Sequence, residues 1–275
     1  MKAPAFSIWS SFDIDLSPED MVLELEKRGM TVCELSDEHA SALLQREGDP
    51  EEIGKAFGTF AAKHGVRFPQ GHLWLFVRLC DPAQNAVGIL TNWIKLFSGI
   101  GIRNAVLHCD GHSFPEGTEQ EFILASNAAV LKKLAPIAEQ YGVRICLENL
   151  IHNFNDAETL LDLISRVGSS AFGICLDTGH LNIKHPGTQE QFILTAGDKL
   201  HAIHIADNEG KSDQHMMPFG KGTVDFASVM KGLSEIGYGD LFNYEIPGER
   251  HAPISVRRAK TEFLKNVTEY LFSLI

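Results

Sequence analysis

The 275-residue sequence has no long hydrophobic run and few cysteines. No segment approaches the roughly 18 consecutive apolar residues of a membrane-spanning helix, and the start, MKAPAFSIWSS, has too short an apolar core for a signal peptide. We therefore expect a cytoplasmic protein with no membrane partner. Five cysteines are an odd number, and Cys33, Cys109, Cys146 and Cys175 lie inside apolar runs, which predicts reduced core residues and not disulfides or a zinc cluster.

Positive charge is also scarce. The chain has 24 lysines and arginines against 36 acidic residues, so its formal net charge is −12. Nucleic-acid binding draws much of its affinity from basic side chains that neutralise phosphates. No nucleic-acid partner is therefore expected, and the densest basic run, Arg257, Arg258 and Lys260, is predicted to be a solvated helix face.

A short phrase recurs along the chain: a helical pattern closes on glycine and an apolar run follows at once. It reads KRGMTVCEL, KHGVRFPQGH, SGIGIRNAVLH, QYGVRICLEN, RVGSSAFGICLD and SEIGYGDLFNYE. Glycine ends helices in the left-handed conformation because it has no Cβ. Each phrase therefore predicts a helix followed by a strand.

Helix starts are marked as clearly as helix ends. Ser17-Pro18-Glu19 and Asp49-Pro50-Glu51 each supply a side-chain cap, a proline in the first turn and an acid near the positive end of the helix dipole. Pro136 lies inside the apolar pattern NAAVLKKLAPIAEQYG, so we expect that helix to kink or restart there.

Eight strands are predicted to alternate with helices. They fall near residues 5–9, 31–36, 66–72, 103–108, 143–148, 172–177, 201–206 and 241–245. This alternation predicts parallel pairing through helical crossovers, and the count of eight favours a closed ring. The expected fold class is therefore α/β, a (β/α)8 TIM barrel forming a single domain over residues 1–275, with an open doubly wound sheet as the alternative.

Side-chain alternation predicts which residues face the barrel axis. Large apolar residues occupy one face of each strand, and the opposite face carries small or polar residues that include Glu148, Asp177, His204 and Glu245. His108 ends the fourth strand with the same parity. All lie at the carboxyl ends of their strands, where barrel enzymes keep their active sites.

Three carboxylates around one axis would raise each other's pKa unless a cation lay between them. Two glutamates, one aspartate and one histidine form an oxygen and nitrogen donor set that suits Mn²⁺, Mg²⁺ or Zn²⁺. We therefore predict a divalent metal site at Glu148, Asp177, His204 and Glu245. His180 follows Asp177 by three residues and would reach back to a substrate or a second metal.

The chain resembles the xylose-isomerase-like barrel superfamily, which includes sugar isomerases, ketose 3-epimerases, inosose-processing enzymes and type IV AP endonucleases. The residues that carry the resemblance are CLEN (146–149), CLDTGH (175–180), HIADN (204–208), DQHMMPFGKGTVDF (213–226) and NYEIPG (243–248). They span most of the second half of the chain, and matches in the first half are looser.

The resemblance implies a metal-dependent sugar, polyol or inosose isomerase or epimerase, with Mn²⁺ as the favoured ion. Glu148 and Glu245 would be the acid and base, acting through a metal-stabilised enediolate from strands that lie roughly 135° apart around the ring. His180 would contact the substrate. Further candidates for substrate binding are His108, His72, Glu34 and Trp9. Many relatives associate through the barrel face, so a homo-oligomer is one alternative for the assembly state.

Three other functions stay open. The ketose 3-epimerases carry an arginine where this chain has Gly210, which departs from the pattern of that subfamily. Dehydration of an inosose uses the same metal and base, so a lyase is an alternative. The endonuclease branch binds three zinc ions, and His72, His108, His180, Asp213 and His215 are the candidates for such additional metals. A metal-free scaffold would leave the carboxylate cluster unexplained.

Overall fold

The computed structural model describes residues 4–248 and 252–275. Its eight strands are β1 (Ala5–Ile8), β2 (Val32–Leu35), β3 (Arg67–His72), β4 (Asn104–Leu107), β5 (Arg144–Glu148), β6 (Phe172–Asp177), β7 (Leu200–Ile205) and β8 (Leu241–Tyr244). Each lies where the sequence predicts a strand.

All strand pairs in the sheet are parallel. The order runs from β2 through β3, β4, β5, β6, β7 and β8 to β1. A parallel bridge between Trp9 and Glu34 joins the two ends of this order. The predicted (β/α)8 barrel is thus confirmed, and the carboxyl ends of all eight strands meet at one mouth.

Ten α-helices surround the strands within the described part of the chain. They are α1 (Pro18–Lys27), α2 (Asp37–Leu44), α3 (Pro50–Lys63), α4 (Ala86–Ile100), α5 (Gln120–Tyr141), α6 (Ala157–Val167), α7 (Thr178–Lys184), α8 (Gln189–Ala196), α9 (Phe226–Ile236) and α10 (Ile254–Phe272). Ser17 caps α1 by accepting from the Asp20 N–H, and Asp49 caps α3 by accepting from the Glu51 and Glu52 N–H groups. Both predicted helix starts are confirmed.

Helix ends also follow the sequence, with one exception. The glycine that closes the helix in each of the six phrases has a positive φ, for example 96° at Gly101 and 62° at Gly142. The predicted restart at Pro136 is wrong, because α5 continues through that residue to Tyr141. Pro136 lies on the solvent-exposed side, as does Lys132 one turn earlier, so water can bond the carbonyl that a proline leaves without a partner.

The barrel interior contains a cluster of small apolar side chains. Val106, Cys146, Cys175 and Ala202 form a cluster of their own on the axis, separate from the large core between sheet and helices. This confirms the predicted parity. The metal-ligand candidates lie on the same inward face, one step nearer the mouth.

All five cysteines are free thiols, and Cys33, Cys109, Cys146 and Cys175 are buried, as predicted. None of the helices in the described ranges combines the length and apolar character that a membrane crossing requires.

Candidate functional site

Four side chains converge at the carboxyl mouth of the barrel. Glu148 ends β5, Asp177 ends β6, His204 is the penultimate residue of β7 and Glu245 follows β8. One ligand atom from each lies within 4.8 Å of the others, and all four residues are buried. His204 Nδ1 is 3.4 Å from Glu148 Oε2 and 3.3 Å from Glu245 Oε2. We call these residues the quartet.

The quartet fits a divalent cation. His204 Nδ1, Glu148 Oε1 and Asp177 Oδ2 are buried and have no hydrogen-bond partner among the residues described. Buried polar atoms normally have partners, and three such atoms around one point are the arrangement that a bound cation satisfies. The donors are oxygens and one imidazole nitrogen, which suits Mn²⁺, Mg²⁺ or Zn²⁺.

Charge at the quartet is divided between its three carboxylates and the histidines in and beside it. Burial opposes ionisation of Glu148, but His204 and His108 hold its pKa well below the usual value. Burial likewise opposes ionisation of Glu245, and the charge of His204 lowers its pKa to about 2. Burial raises the pKa of Asp177 to about 6. Without metal, protonated imidazoles balance the carboxylates, so a bound cation must displace protons.

Two further groups of metal-type ligands flank the quartet. His72 and His108 approach Glu148 on one side, and His180 lies with Asp213 and His215 on the other. The Nε2 atoms of His72 and His108 lie 3.4 and 3.1 Å from Glu148 Oε2.

Backbone carbonyls orient three of these histidines. Nδ1 of His72 lies 2.6 Å from Leu73 O, and Nδ1 of His180 lies 2.9 Å from Asn149 O. Nδ1 of His215 lies 2.7 Å from Glu245 O.

A histidine that donates from Nδ1 to a carbonyl keeps Nε2 free to accept or to ligate. Nε2 of His180 and of His215 lie 3.3 and 3.0 Å from the Asp213 carboxylate. The structure therefore brings all five candidates for additional metals to the mouth.

The sequence profile of the xylose isomerase-like TIM barrel family matches residues 22–267. The chain belongs to this family.

Several family members have functions assigned. An inosose isomerase of Bacillus velezensis is 32% identical over 136 residues, covering 46% of this chain and 48% of that protein. An L-ribulose 3-epimerase of Methylomonas sp. is 31% identical over 147 residues, covering 51% of this chain and 48% of that protein. The chain thus spans about half the length of these curated relatives. The crystal structure of a D-psicose 3-epimerase from Clostridium cellulolyticum H10 with D-tagatose has a TM-score of 0.79 at 17% identity, covering 97% of this chain and 99% of that one, which shows the shared fold.

Glu34 contacts the quartet through the ring nitrogen of His204 that does not face the other three ligands. It is fully buried, and its carboxylate oxygens are both 3.1 Å from His204 Nε2. Gln70 donates to it at 2.7 Å, and Asn243 donates a second amide hydrogen bond. The sequence makes Glu34 a candidate for contact with a substrate hydroxyl, and that role stays a prediction. In the structure, side chains of the protein are the groups bonded to its carboxylate. Its position suits holding the His204 proton on Nε2, which leaves Nδ1 for a metal.

Replacing Glu34 by glutamine is expected to weaken metal affinity by about 10- to 100-fold, because the orienting charge behind His204 is lost. Competition with a chelating dye measures this without any assay of activity. The matched control is Glu158→Gln, which removes one charge from an exposed position on α6. Equal metal affinity in Glu34→Gln and wild type would contradict the orienting role.

Trp9 lies directly after β1, partly buried, with its backbone N–H bonded to Tyr244 O at 2.9 Å. Its indole N–H is buried and has no acceptor within residues 4–248 and 252–275. The predicted role of Trp9 in substrate binding stays a prediction, and a substrate hydroxyl would supply the acceptor.

Asn149 is a site residue that sequence reasoning missed. Its side-chain oxygen accepts from the Asp177 N–H at 2.7 Å, and its amide donates to Asp177 O at 3.0 Å. This pair of bonds fixes the end of β6 against the end of β5. Its place directly after Glu148 in CLEN is the signal that could have indicated it.

Proposed function

We propose that this protein is a metal-dependent isomerase or epimerase that acts on a sugar, polyol or inosose by proton transfer. The observation that carries the proposal is the quartet, in which Glu148 at the end of β5 and Glu245 after β8 offer ligand atoms within 4.8 Å of each other. Its family includes relatives named as an inosose isomerase and an L-ribulose 3-epimerase.

Glu148, Asp177, His204 and Glu245 would hold the ion, for which we propose Mn²⁺. When bound, it would supply the Lewis acidity that polarises a substrate carbonyl.

The two glutamates would move the proton. In an epimerisation, one ionised glutamate would take the proton from carbon on one face, and the other would pass a proton from a neighbouring imidazolium to the opposite face. In an isomerisation, a single glutamate can carry the proton between adjacent carbons. Ring nitrogens of His72, His108 and His180 and the indole N–H of Trp9 supply donors and acceptors for hydroxyl groups.

Solvent deuterium exchange tests the proposal. The manganese-loaded protein is incubated in D₂O with a panel of ketoses and inososes, and incorporation is read by mass spectrometry. We expect deuterium at the carbon beside the carbonyl of at least one compound. A product lighter by one water would identify the lyase alternative, and a metal-loaded protein that exchanges no compound would refute the proposal.

A second candidate, a three-metal phosphodiester hydrolase of the AP endonuclease type, rests on the two flanking groups of ligands. His72, His108, His180, Asp213 and His215 have the placement that such a cluster needs. Against it stands the net charge of −12, which opposes association with a polyanion.

Metal content separates the two candidates. We expect one equivalent of metal per chain, because the quartet alone has four buried ligands, and we expect His72→Ala and His215→Ala to keep that equivalent. Elemental analysis of the purified protein measures it. Near three equivalents of zinc, with nicking of an abasic-site duplex that falls in either variant, would favour the nuclease. A chain that holds no metal would favour a scaffold.

A further inference from the structure

A cavity of about 830 Å³ opens to one side of the quartet. The loops that follow β3, β4 and β5 form its walls, through residues 75–78, 109–112, 114–118 and 150–153. His108 and His180 line its inner end. His108 Nε2 is 3.1 Å from Glu148 Oε2, so a residue that lines the cavity contacts the proposed acid–base residue.

The cavity is larger than a free monosaccharide requires. A hexose has about 12 non-hydrogen atoms, and even at the roughly 30 Å³ that a water molecule occupies in the liquid it would fill less than half of this volume. Cavities of roughly 300–1,000 Å³ are typical for ligands of drug size. A sugar held at the quartet would therefore leave most of the cavity to another part of the same molecule.

Apolar side chains form much of the wall. They include Leu75, Phe76, Phe114, Leu150 and Ile151. Phe76 is 73% exposed, although its ring has an edge-to-face neighbour in Trp74 at 6.4 Å. Large exposed aromatic rings at the mouth of a cavity are typical of surfaces that a ligand covers.

Asp110 also borders the cavity, but protein groups already bind its carboxylate. It accepts from the backbone N–H groups of Cys80 and Ser113 at 2.9 Å and from the Ser113 hydroxyl at 2.7 Å. These hydrogen bonds occupy the Asp110 carboxylate. Arg78 and Glu116 also line the cavity, so the apolar side chains share it with charged groups.

We propose that this cavity is a second subsite that binds an aromatic or similarly apolar aglycone, so that the substrate is a glycoside and not a free sugar. The inference rests on the proposed function and deepens it. The anomeric carbon of a glycoside is blocked, so the carbonyl that the proton transfer needs must lie at another ring carbon. The reaction that supplies this substrate is then an oxidation of a glycoside hydroxyl to a ketone.

Paired glycosides test the subsite by calorimetry on the manganese-loaded protein. Phenyl glycosides of several sugars are compared with the methyl glycosides of the same sugars. We expect at least one phenyl glycoside to bind at least about tenfold more tightly than its methyl partner, because the ring buries apolar area against Phe76 and Phe114. Phe76→Ala should remove most of that difference. Phe263→Ala, which trims an exposed phenylalanine on α10, should leave it unchanged.

Binding no tighter for any phenyl glycoside than for its methyl partner overturns the subsite, and so does a preference that survives Phe76→Ala. If Phe76 instead contacts a second copy of the chain, sedimentation will show a dimer that Phe76→Ala dissociates, and the glycoside preference will be absent.

Deuterium exchange separates failure of the subsite from failure of the proposed function. Exchange into free ketoses without a phenyl preference retains the proposed function, whereas a phenyl preference without exchange into any ketone retains the subsite alone.

Discussion

Deuterium exchange by Glu245→Gln is expected to fall by at least about two orders of magnitude, while the protein still binds its metal. Glutamine keeps a side-chain oxygen as a ligand and nearly the same shape, but it cannot take a proton from carbon. A substitution that changes the size or shape of this side chain would disturb the site, because Glu245 is 4% exposed and its Oε2 lies 3.3 Å from His204 Nδ1. Exchange into the best substrate of the panel and metal content are measured on the same preparation.

The control for this experiment is Glu209→Gln, which makes the same change at an exposed position shortly after β7. It should exchange at the wild-type rate. If Glu245→Gln also exchanges at the wild-type rate with its metal in place, Glu245 is not the base. If exchange is lost together with the metal, the variant tests the ligand role only, and Glu148→Gln then provides the second test of acid–base chemistry.

The quartet could be located from the sequence because strand periodicity is a local property. A period of two places Cys146 with Glu148 and Cys175 with Asp177, and the barrel then has only one face on which small and acidic residues fit. The carboxyl ends of parallel strands meet at one mouth, so residues far apart in sequence become neighbours. Nothing beyond strand boundaries and parity is needed for that step.

The role of Glu34 shows where this reasoning ends. Parity correctly points its side chain inward, but the depth of a residue along the axis depends on strand stagger. In the structure Glu34 pairs in register with Gln70 on β3, and its carboxylate lies beneath His204. The sequence contains no local signal for that relation.

Loops and proline positions are the other limits. The wall formed by Leu75, Phe76 and Phe114 depends on how three loops pack against each other, which no repeating pattern encodes. Pro136 removes one backbone hydrogen bond from α5 without ending the helix, because its exposure lets solvent offset the missing bond. The shape of the cavity wall and the effect of Pro136 both depend on neighbouring segments, whose positions are set by the whole fold.

Asp177→Ala is expected to weaken metal affinity by more than about 100-fold, because loss of a direct ligand should exceed the 10- to 100-fold effect of losing an outer partner. Excess metal should recover part of the exchange activity by mass action. The Asp177 side chain also caps α7 by accepting from the His180 N–H at 2.6 Å. Asp156→Ala removes the comparable cap of α6 away from the quartet, so it shows what the loss of a cap does alone.

Asp177→Asn separates the metal from the cap, because asparagine keeps the capping oxygen and removes the charge. Burial raises the pKa of Asp177 from 3.8 to about 6 in the metal-free fold, so its ionised form destabilises that fold at pH 7 and the penalty disappears as pH falls below about 4. We therefore expect Asp177→Asn to melt above the wild type at pH 7 without metal and below it with saturating manganese. This reversal follows if the carboxylate serves the cation. A variant that melts below the wild type by the same amount in both states would show that Asp177 stabilises the barrel without the cation, and the quartet would then lose its assignment as a metal site.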